Sequence, residues 1–244
     1  MSEFLILKGR KGIQDLINNP KLRHLIEEVH LSKTQIQIID LCNKNGVKYQ
    51  IKEKSYFWKF ETKKKYKYAV AFIRKKKDLD LDSLIRICSS RERSLILILD
   101  HLQDPFNVGA ILRTCCAFEV DGVILPKDKS APLNHEVTLK SSQGYSLNIN
   151  TVEVSNLNNA ITKLKNRGYW VYSTEIGPNT KSFKEVEYAD KCALIMGSEG
   201  KGVSKILRDN SDVKVHIPMK NNVNSLNVSV AAGIIISEIS DQKS

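Results

Sequence analysis

The stretch SLILILDHLQDPFNVGAILRTCCAFE, residues 94–119, joins an unbroken apolar run to a helical pattern through a short polar turn. An apolar run with no alternation is what a parallel strand buried on both faces requires, so SLILILD reads as such a strand and NVGAILRTCCAFE as the helix after it. The same alternation continues outward. DGVILP (121–126) reads as a strand and NLNNAITKLKNRG (156–168) as a helix closed by Gly168. WVYST (170–174), CALIMG (192–197) and VKVHIP (213–218) are three more strands, with VSKILRD (203–209) a short helix among them. SLNVSVAAGIIISEIS (225–240) is a closing helix with small residues on one side and Ile on the other. Strand alternating with helix predicts an α/β domain with a mainly parallel sheet.

Toward the N-terminus the pattern loosens. KGIQDLINNPKLRHLIEE (11–28) carries apolar residues at helical spacing, broken at Pro20. TQIQIIDLCNKNG (34–46) reads as a helix closed by Asn45-Gly46, and VKYQI (47–51) as a strand. A basic stretch from Lys52 to Lys77 follows, with Tyr56, Phe57, Trp58, Phe60, Tyr66 and Tyr68 interleaved. Lysines neutralise phosphates and aromatic faces stack on unpaired bases, so this mixture suits RNA, although YKYAVAFI (66–73) also reads as a strand with aromatics facing a core. The acidic start of the 78–93 stretch looks like a connector with a short helix. The expected division is therefore 1–77, a linker at 78–92, and 93–244.

Charge supports two parts with different jobs. Of a net +11, residues 1–92 contribute +10, with 21 Lys/Arg against 11 Asp/Glu, leaving the remainder nearly neutral. A basic segment beside a neutral one points to a polyanion-binding part attached to another activity; a solubilising basic surface is the plain alternative. With 41% hydrophobic and 27% charged residues the chain is globular in composition, and no apolar run reaches the length of a membrane span. A cytoplasmic protein without membrane attachment is the expectation. The five cysteines (Cys42, Cys88, Cys115, Cys116, Cys192) are odd in number and lack CxxC spacing, which argues against a disulfide framework and against zinc. No metal is expected; Cys115 and Cys116 read as small core residues, and the histidines, including His101 and His216 beside the loops, as structural or solvent-facing.

Ligands of open parallel sheets bind beyond the carboxyl ends of the strands. Three such ends are rich in Gly, Asn and Ser: Asp100 to Gly109, leading into a helix that presents Arg113; Met196 to Gly202; and Ile217 to Ser229, which includes Asn221, Asn222 and Asn224. Singly each has a plain reading, with Asn107 or Ser225 as helix caps and Gly197 and Gly200 as turn glycines. There is no GxxxxGK[ST] and no GxGxxG after a strand, which weakens NTP and NAD readings.

Together, DPFNVGAILRT (104–114), ALIMGSEGKGV (193–203) and IPMKNNVNSLNVSVAAGI (217–234) resemble the three motifs, in order and spacing, of the SpoU/TrmH family of RNA ribose 2′-O-methyltransferases, part of the SPOUT superfamily. The resemblance covers about residues 94–240. It implies a trefoil-knotted methyltransferase domain, preceded over 1–77 by a small L30e-like α/β substrate-binding domain. It also implies S-adenosylmethionine as cofactor, RNA as partner and a homodimer formed through the knotted domain. VILPKDKSAPLN (123–134) most resembles members that methylate a guanosine of 23S ribosomal RNA. By resemblance Arg113 is the main catalytic residue, with Asn107 orienting it, Glu199 and Ser225 completing the polar shell, and Asn227 anchoring the third loop. An arginine is effectively always protonated, so Arg113 suits a phosphate or a developing alkoxide better than a general base's role. The cofactor slot falls to Gly197, Ile217 and Leu226, flanked by Met196, Ser198 and Pro218. A tRNA ribose and an rRNA adenosine are alternative targets, and a non-catalytic RNA-binding assembly factor is the alternative of another class.

Two outcomes follow. Deleting residues 1–77 is expected to weaken RNA binding and flatten its salt dependence, while S-adenosylmethionine binding survives; unchanged RNA affinity and salt slope would exclude this division of labour. Methyl transfer is expected to persist in strong chelator, and a loss restored by zinc would overturn the metal-free reading.

Overall fold

The computed structural model describes residues 4–60, 68–75, 79–133, 136–221 and 223–242. In chain order its elements are β1 (Phe4–Lys8), α1 (Arg10–Asn18), β2 (Ile26–Leu31), α2 (Ile36–Asn45), β3 (Tyr49–Ile51), β4 (Ala69–Arg74), α3 (Leu81–Ser89), β5 (Ser94–Asp100), α4 (Pro105–Ala117) and β6 (Gly122–Pro126). They continue with α5 (Glu136–Ser141), β7 (Thr151–Val154), α6 (Leu157–Lys165), β8 (Trp170–Thr174), β9 (Lys181–Ser182), β10 (Lys191–Gly197), α7 (Lys205–Asp209), β11 (Val213–His216) and α8 (Val228–Gln242). Two compact units result: Met1–Lys77 with Pro132–Asn148, and Asp78–Ala131 with Ile149–Ser244.

In the first unit four strands lie in the order β1-β4-β2-β3, with β4 antiparallel to both neighbours and β2 parallel to β3. The Ile26–Leu31 segment departs from the helical reading of 11–28. Ile26, Val29 and Leu31 are buried, and pairing on both edges overrides a local pattern that also fits a helix. α2 ends as its sequence predicts, with Gly46 in the left-handed region at φ 64°. Ile13, Ile17, Leu31 and Ile38 form the core together with Leu139 and Leu147, so the segment 132–148 packs with a part of the chain far away in sequence. Of the interleaved aromatics, Phe57 is buried, Tyr56, Phe60 and Tyr68 are half-buried, and Trp58 is exposed. Lys59 and Lys52 lie over the Tyr56 ring at 4.0 and 5.4 Å. Tyr66, the lysines at 63–65, 67, 76 and 77, His135 and Asn222 lie outside the described residues.

The second unit holds a seven-stranded parallel sheet in the order β7-β6-β5-β10-β8-β11-β9. β5 and β6 are buried at every position, as their unbroken apolar runs require. α4 starts at Pro105 with Asp104 as its cap, the Asp104 carboxylate accepting from Phe106 N at 2.9 Å. Asn107 is therefore not a cap. The 78–93 stretch, read as a connector with a short helix, carries α3. Asp80 caps it by accepting from Ser83 N at 2.7 Å, and Leu84, Ile85 and Cys88 enter the core. Gly122 admits this packing, because a Cβ there would lie 2.8 Å from Leu84 Cδ1. Cys115 is buried and Cys116 half-buried. Burial pushes the Cys88 thiol up to about 12 and raises that of Cys115, which suits inert core residues.

Because Leu84 is fully buried, Leu84→Ala is expected to cost about 2–5 kcal/mol by urea denaturation of the full chain, as for other buried leucines. A cost within about 0.5 kcal/mol, typical of exposed positions, would return this stretch to the status of a connector. Removal of 1–77 would strip the cover from Leu139 and Leu147, so charge-neutralising substitutions at Lys52, Lys54 and Lys59 test the basic segment more cleanly than deletion.

Candidate functional site

The carboxyl ends of β5, β10, β8 and β11 are neighbours at the centre of the sheet, and the loops leaving them build the site. The loop after β10 doubles back on itself. Ser198 N donates to Gly202 O at 3.1 Å and Gly202 N to Ser198 O at 2.9 Å, with Gly200 and Gly202 at φ 78° and 66°. Gly197 has a different reason to be glycine: a Cβ there would lie 2.0 Å from the carbonyl carbon of Gly202 and 2.1 Å from Val203 N. The obstacle is backbone, so no side chain can swing aside. Beside this loop Asp100, 2% exposed, accepts from Ser204 N at 2.6 Å and pairs with His101 Nδ1 at 2.5 Å.

Asn107 joins all three predicted loops. It is 8% exposed; its Nδ2 donates to Glu199 Oε1, and its Oδ1 accepts from Asn227 Nδ2 at 3.1 Å. Asn227 Oδ1 accepts in turn from Ser229 N at 2.9 Å and Ser229 Oγ at 2.6 Å, which secures the start of α8. One buried amide thus uses both its donor and its acceptor on polar groups 92 and 120 residues away.

Two cavities flank this cluster. The larger, about 770 Å³, is lined by Met196, Gly197, Ser198, Ile217 and Leu226 among the expected cofactor residues, and by Glu199, Ser225 and Asn227 among the expected catalytic ones. Pro218 does not line it, whereas its neighbours Ile217 and Met219 do. The smaller, about 560 Å³, takes in Asn107 and Glu199 together with Asp100, His101, Gln103 and Lys129. Ser198, Glu199, Lys201, Gly202 and Val228 border both. Arg113 borders neither. It is exposed, and six residues past Asn107 the helix has turned through about 600°, so the two side chains leave α4 about 120° apart.

Sequence reasoning missed the contribution of β8. Thr174 Oγ1 donates to Ile195 O at 3.1 Å, and Glu175 accepts from Arg208 Nη1 at 2.6 Å with Lys214 Nζ 3.3 Å away; Thr174, Glu175 and Arg208 all line the larger cavity. The signal available was weak: a polar pair closing the strand WVYST. His216, read as structural or solvent-facing, lines that cavity with its Nδ1 2.8 Å from Thr180 Oγ1. Among the described residues no group of three His, Cys, Asp or Glu side chains is placed to hold a metal, and no helix is long and apolar enough to cross a membrane.

Comparison with known proteins places this geometry. An uncharacterized tRNA/rRNA methyltransferase of Mycoplasma genitalium is 37% identical over 94% of this chain and 94% of its own length. The A. aeolicus TrmH/SpoU tRNA modifying enzyme is similar in structure with a TM-score of 0.57, at 33% identity over 67% of this chain and 82% of that one. The SpoU methyltransferase AviRb of Streptomyces viridochromogenes, solved in complex with AdoMet, shares the fold at a TM-score of 0.78 and 19% identity, over 99% of this chain and 91% of that one. Residues 94–237, which include every strand end described above, match the SpoU rRNA methylase family, and the chain belongs to it.

Proposed function

We propose that this protein transfers a methyl group from S-adenosylmethionine to a ribose 2′-hydroxyl of RNA, with a guanosine of 23S ribosomal RNA as the target. The observation that carries the reading is the Asn107 amide, which joins Glu199, on the wall shared by two adjoining cavities, to Asn227 in the larger of them. A reaction between a cofactor and a polymer needs two such compartments. The larger cavity fits the cofactor: it offers backbone polar groups along Gly197 to Gly202, apolar cover from Met196, Ile217, Leu226 and Ile235, and hydroxyls at Thr174 and Ser225. When bound, S-adenosylmethionine supplies a methyl group activated by a sulfonium centre.

The chain's own residues then have two tasks, holding the reacting ribose in line and managing charge on its oxygen. Asn107 keeps Glu199 on the shared wall, and Ser225 adds a hydroxyl to the larger cavity beside Asn227. Arg113, always protonated, suits the developing alkoxide or a neighbouring phosphate. Since Arg113 borders neither cavity of its own chain, its role here requires a homodimer in which it serves the partner subunit's site. The same reading takes the parallel-sheet unit as a trefoil-knotted SPOUT domain and the other unit as an L30e-like RNA-binding domain, in a cytoplasmic enzyme. The likeness to a tRNA modifying enzyme supports tRNA ribose as a second target. An rRNA adenosine remains an alternative target. A non-catalytic assembly factor would have no reason to keep Asn107, Arg113, Glu199 and Ser225 together.

Ribose-methylation mapping of rRNA and tRNA by mass spectrometry, with and without the gene, tests the target. Arg113→Ala is expected to raise the barrier by about 2–4 kcal/mol in single turnover, as does loss of an oxyanion donor, with cofactor affinity unchanged by calorimetry. Arg113→Lys rescues poorly, because a point charge lacks the guanidinium fork. Mixing Arg113→Ala with Glu199→Ala protein is expected to regenerate one intact site per mixed dimer; a mixture as inactive as its components would put Arg113 in its own chain's site.

A further inference from the structure

The reading above leaves one task unassigned: something must take the proton of the ribose hydroxyl. Arg113 is always charged, and Glu199 already gives its Oε1 to Asn107 Nδ2. The smaller cavity holds another group. His101 follows the last residue of β5 with a backbone φ of 57°, a left-handed conformation uncommon for a residue with a side chain. Strain of this kind is retained where the surrounding structure over-determines it, and such positions cluster at functional sites. Here the determinant is Asp100, 2% exposed, with one carboxylate oxygen accepting from Ser204 N at 2.6 Å and the other 2.5 Å from His101 Nδ1.

A carboxylate bound to Nδ1 fixes the imidazole tautomer, with hydrogen on Nδ1 and a lone pair on Nε2. Nε2 has no hydrogen-bond partner among the described residues, and the side chain is 45% exposed while lining the cavity shared with Asn107 and Glu199. The ionisable groups that face His101 across that cavity are Asp104, Glu199, Lys129 and Lys201, besides Asp100 itself. Asp104 is occupied as the cap of α4, and the two lysines are placed to meet phosphate.

We propose that the smaller cavity receives the target nucleotide and that His101, oriented by Asp100, accepts the proton of its ribose 2′-hydroxyl. The proposal rests on the ribose-methylation reading. In the step the O–H bond breaks and the proton passes to Nε2. The oxygen forms its bond to the methyl carbon as the methyl–sulfur bond breaks, the electron pair staying on sulfur. The imidazolium then releases its proton to water. His101 is the catalytic residue and Asp100 a positioning residue.

Single-turnover methylation of protein-free 23S rRNA and of total tRNA, both from cells lacking the protein, tests this with the full chain and labelled S-adenosylmethionine. His101→Ala is expected to slow transfer by about 100-fold or more, the scale of general-base catalysis. Calorimetric cofactor affinity and RNA affinity by fluorescence anisotropy should stay within about threefold of wild type, since general-base loss acts on the transition state rather than on binding. Added imidazole should restore part of the rate, increasingly so for more basic substituted imidazoles. Asp100→Asn should lower the single-turnover rate with cofactor and RNA affinity unchanged, a split between rate and binding that a merely structural role would not give. A His101→Ala rate within threefold of wild type overturns the proposal. So does a loss matched by weakened RNA binding and not rescued by imidazole, which would make His101 a contact residue. If wild-type protein methylates bases or nothing in either RNA, the functional reading itself fails, which is distinct from failure of His101 alone.

Discussion

A primary amide can donate and accept at once, and buried away from water it is costly unless it does both. Asn107 meets that condition only when Glu199 and Asn227 stand on either side of it. Three loops that leave three different strands are thereby placed by a single side chain. The demand runs outward through the fold. Asn107 can be buried only because α4 starts two residues earlier at Pro105, and Asp104 rather than Asn107 performs the capping. Asn227 must then hold the start of α8 through Ser229, so the last helix is fixed by the same chain of contacts.

Aspartates at the strand ends show how the fold separates support from chemistry. Asp121 accepts from Leu95 N at 2.8 Å, and Asp212 accepts from Val171 N at 2.8 Å. Each also meets a cation, Asp121 with Arg91 and Asp212 with Lys165. Both therefore close backbone donors at the amino ends of strands, with an arginine or a lysine beside the carboxylate. Asp100 does the equivalent work at the carboxyl end of β5 by accepting from Ser204 N, but its partner is a histidine. Imidazole is the one basic side chain that changes charge near neutral pH without a large perturbation. The exchange of a fixed cation for a titratable one occurs at the end of the sheet where the cavities lie.

Much of this was legible in the residues. The run from 95 to 99 is apolar at every position, and the strand is buried throughout; the Asn45-Gly46 close of α2 was equally plain. What escaped was set by distant contacts. The 26–31 segment fits helix and strand spacing alike, and only pairing with β3 and β4 decides it. The short helix expected within 78–93 has a three-residue core face that its acidic start hides, and no local signal assigns 132–148 to the N-terminal unit. Gly197, Gly200 and Gly202 look alike in sequence, yet two serve a turn and one a backbone crossing. Arg113 follows Asn107 by six residues on α4, a spacing that fixes how far apart the two lie. Separation along the axis, about 9 Å, says nothing of direction around it.

The shared wall explains why a crossing with no room for a side chain is worth its conformational restriction. Ser198, Glu199, Lys201 and Gly202 face one cavity on one side and the second on the other, so movement of this loop would displace both compartments together. Transfer between two bound partners is sensitive to small errors in distance and alignment. A wall pinned by two backbone hydrogen bonds between Ser198 and Gly202, and by the contact of that loop with Gly197, removes most of that freedom before either partner arrives. The absence of any atom beyond Cα at position 197 is therefore a condition for the wall, the wall for two adjoining compartments, and the compartments for a reaction between them.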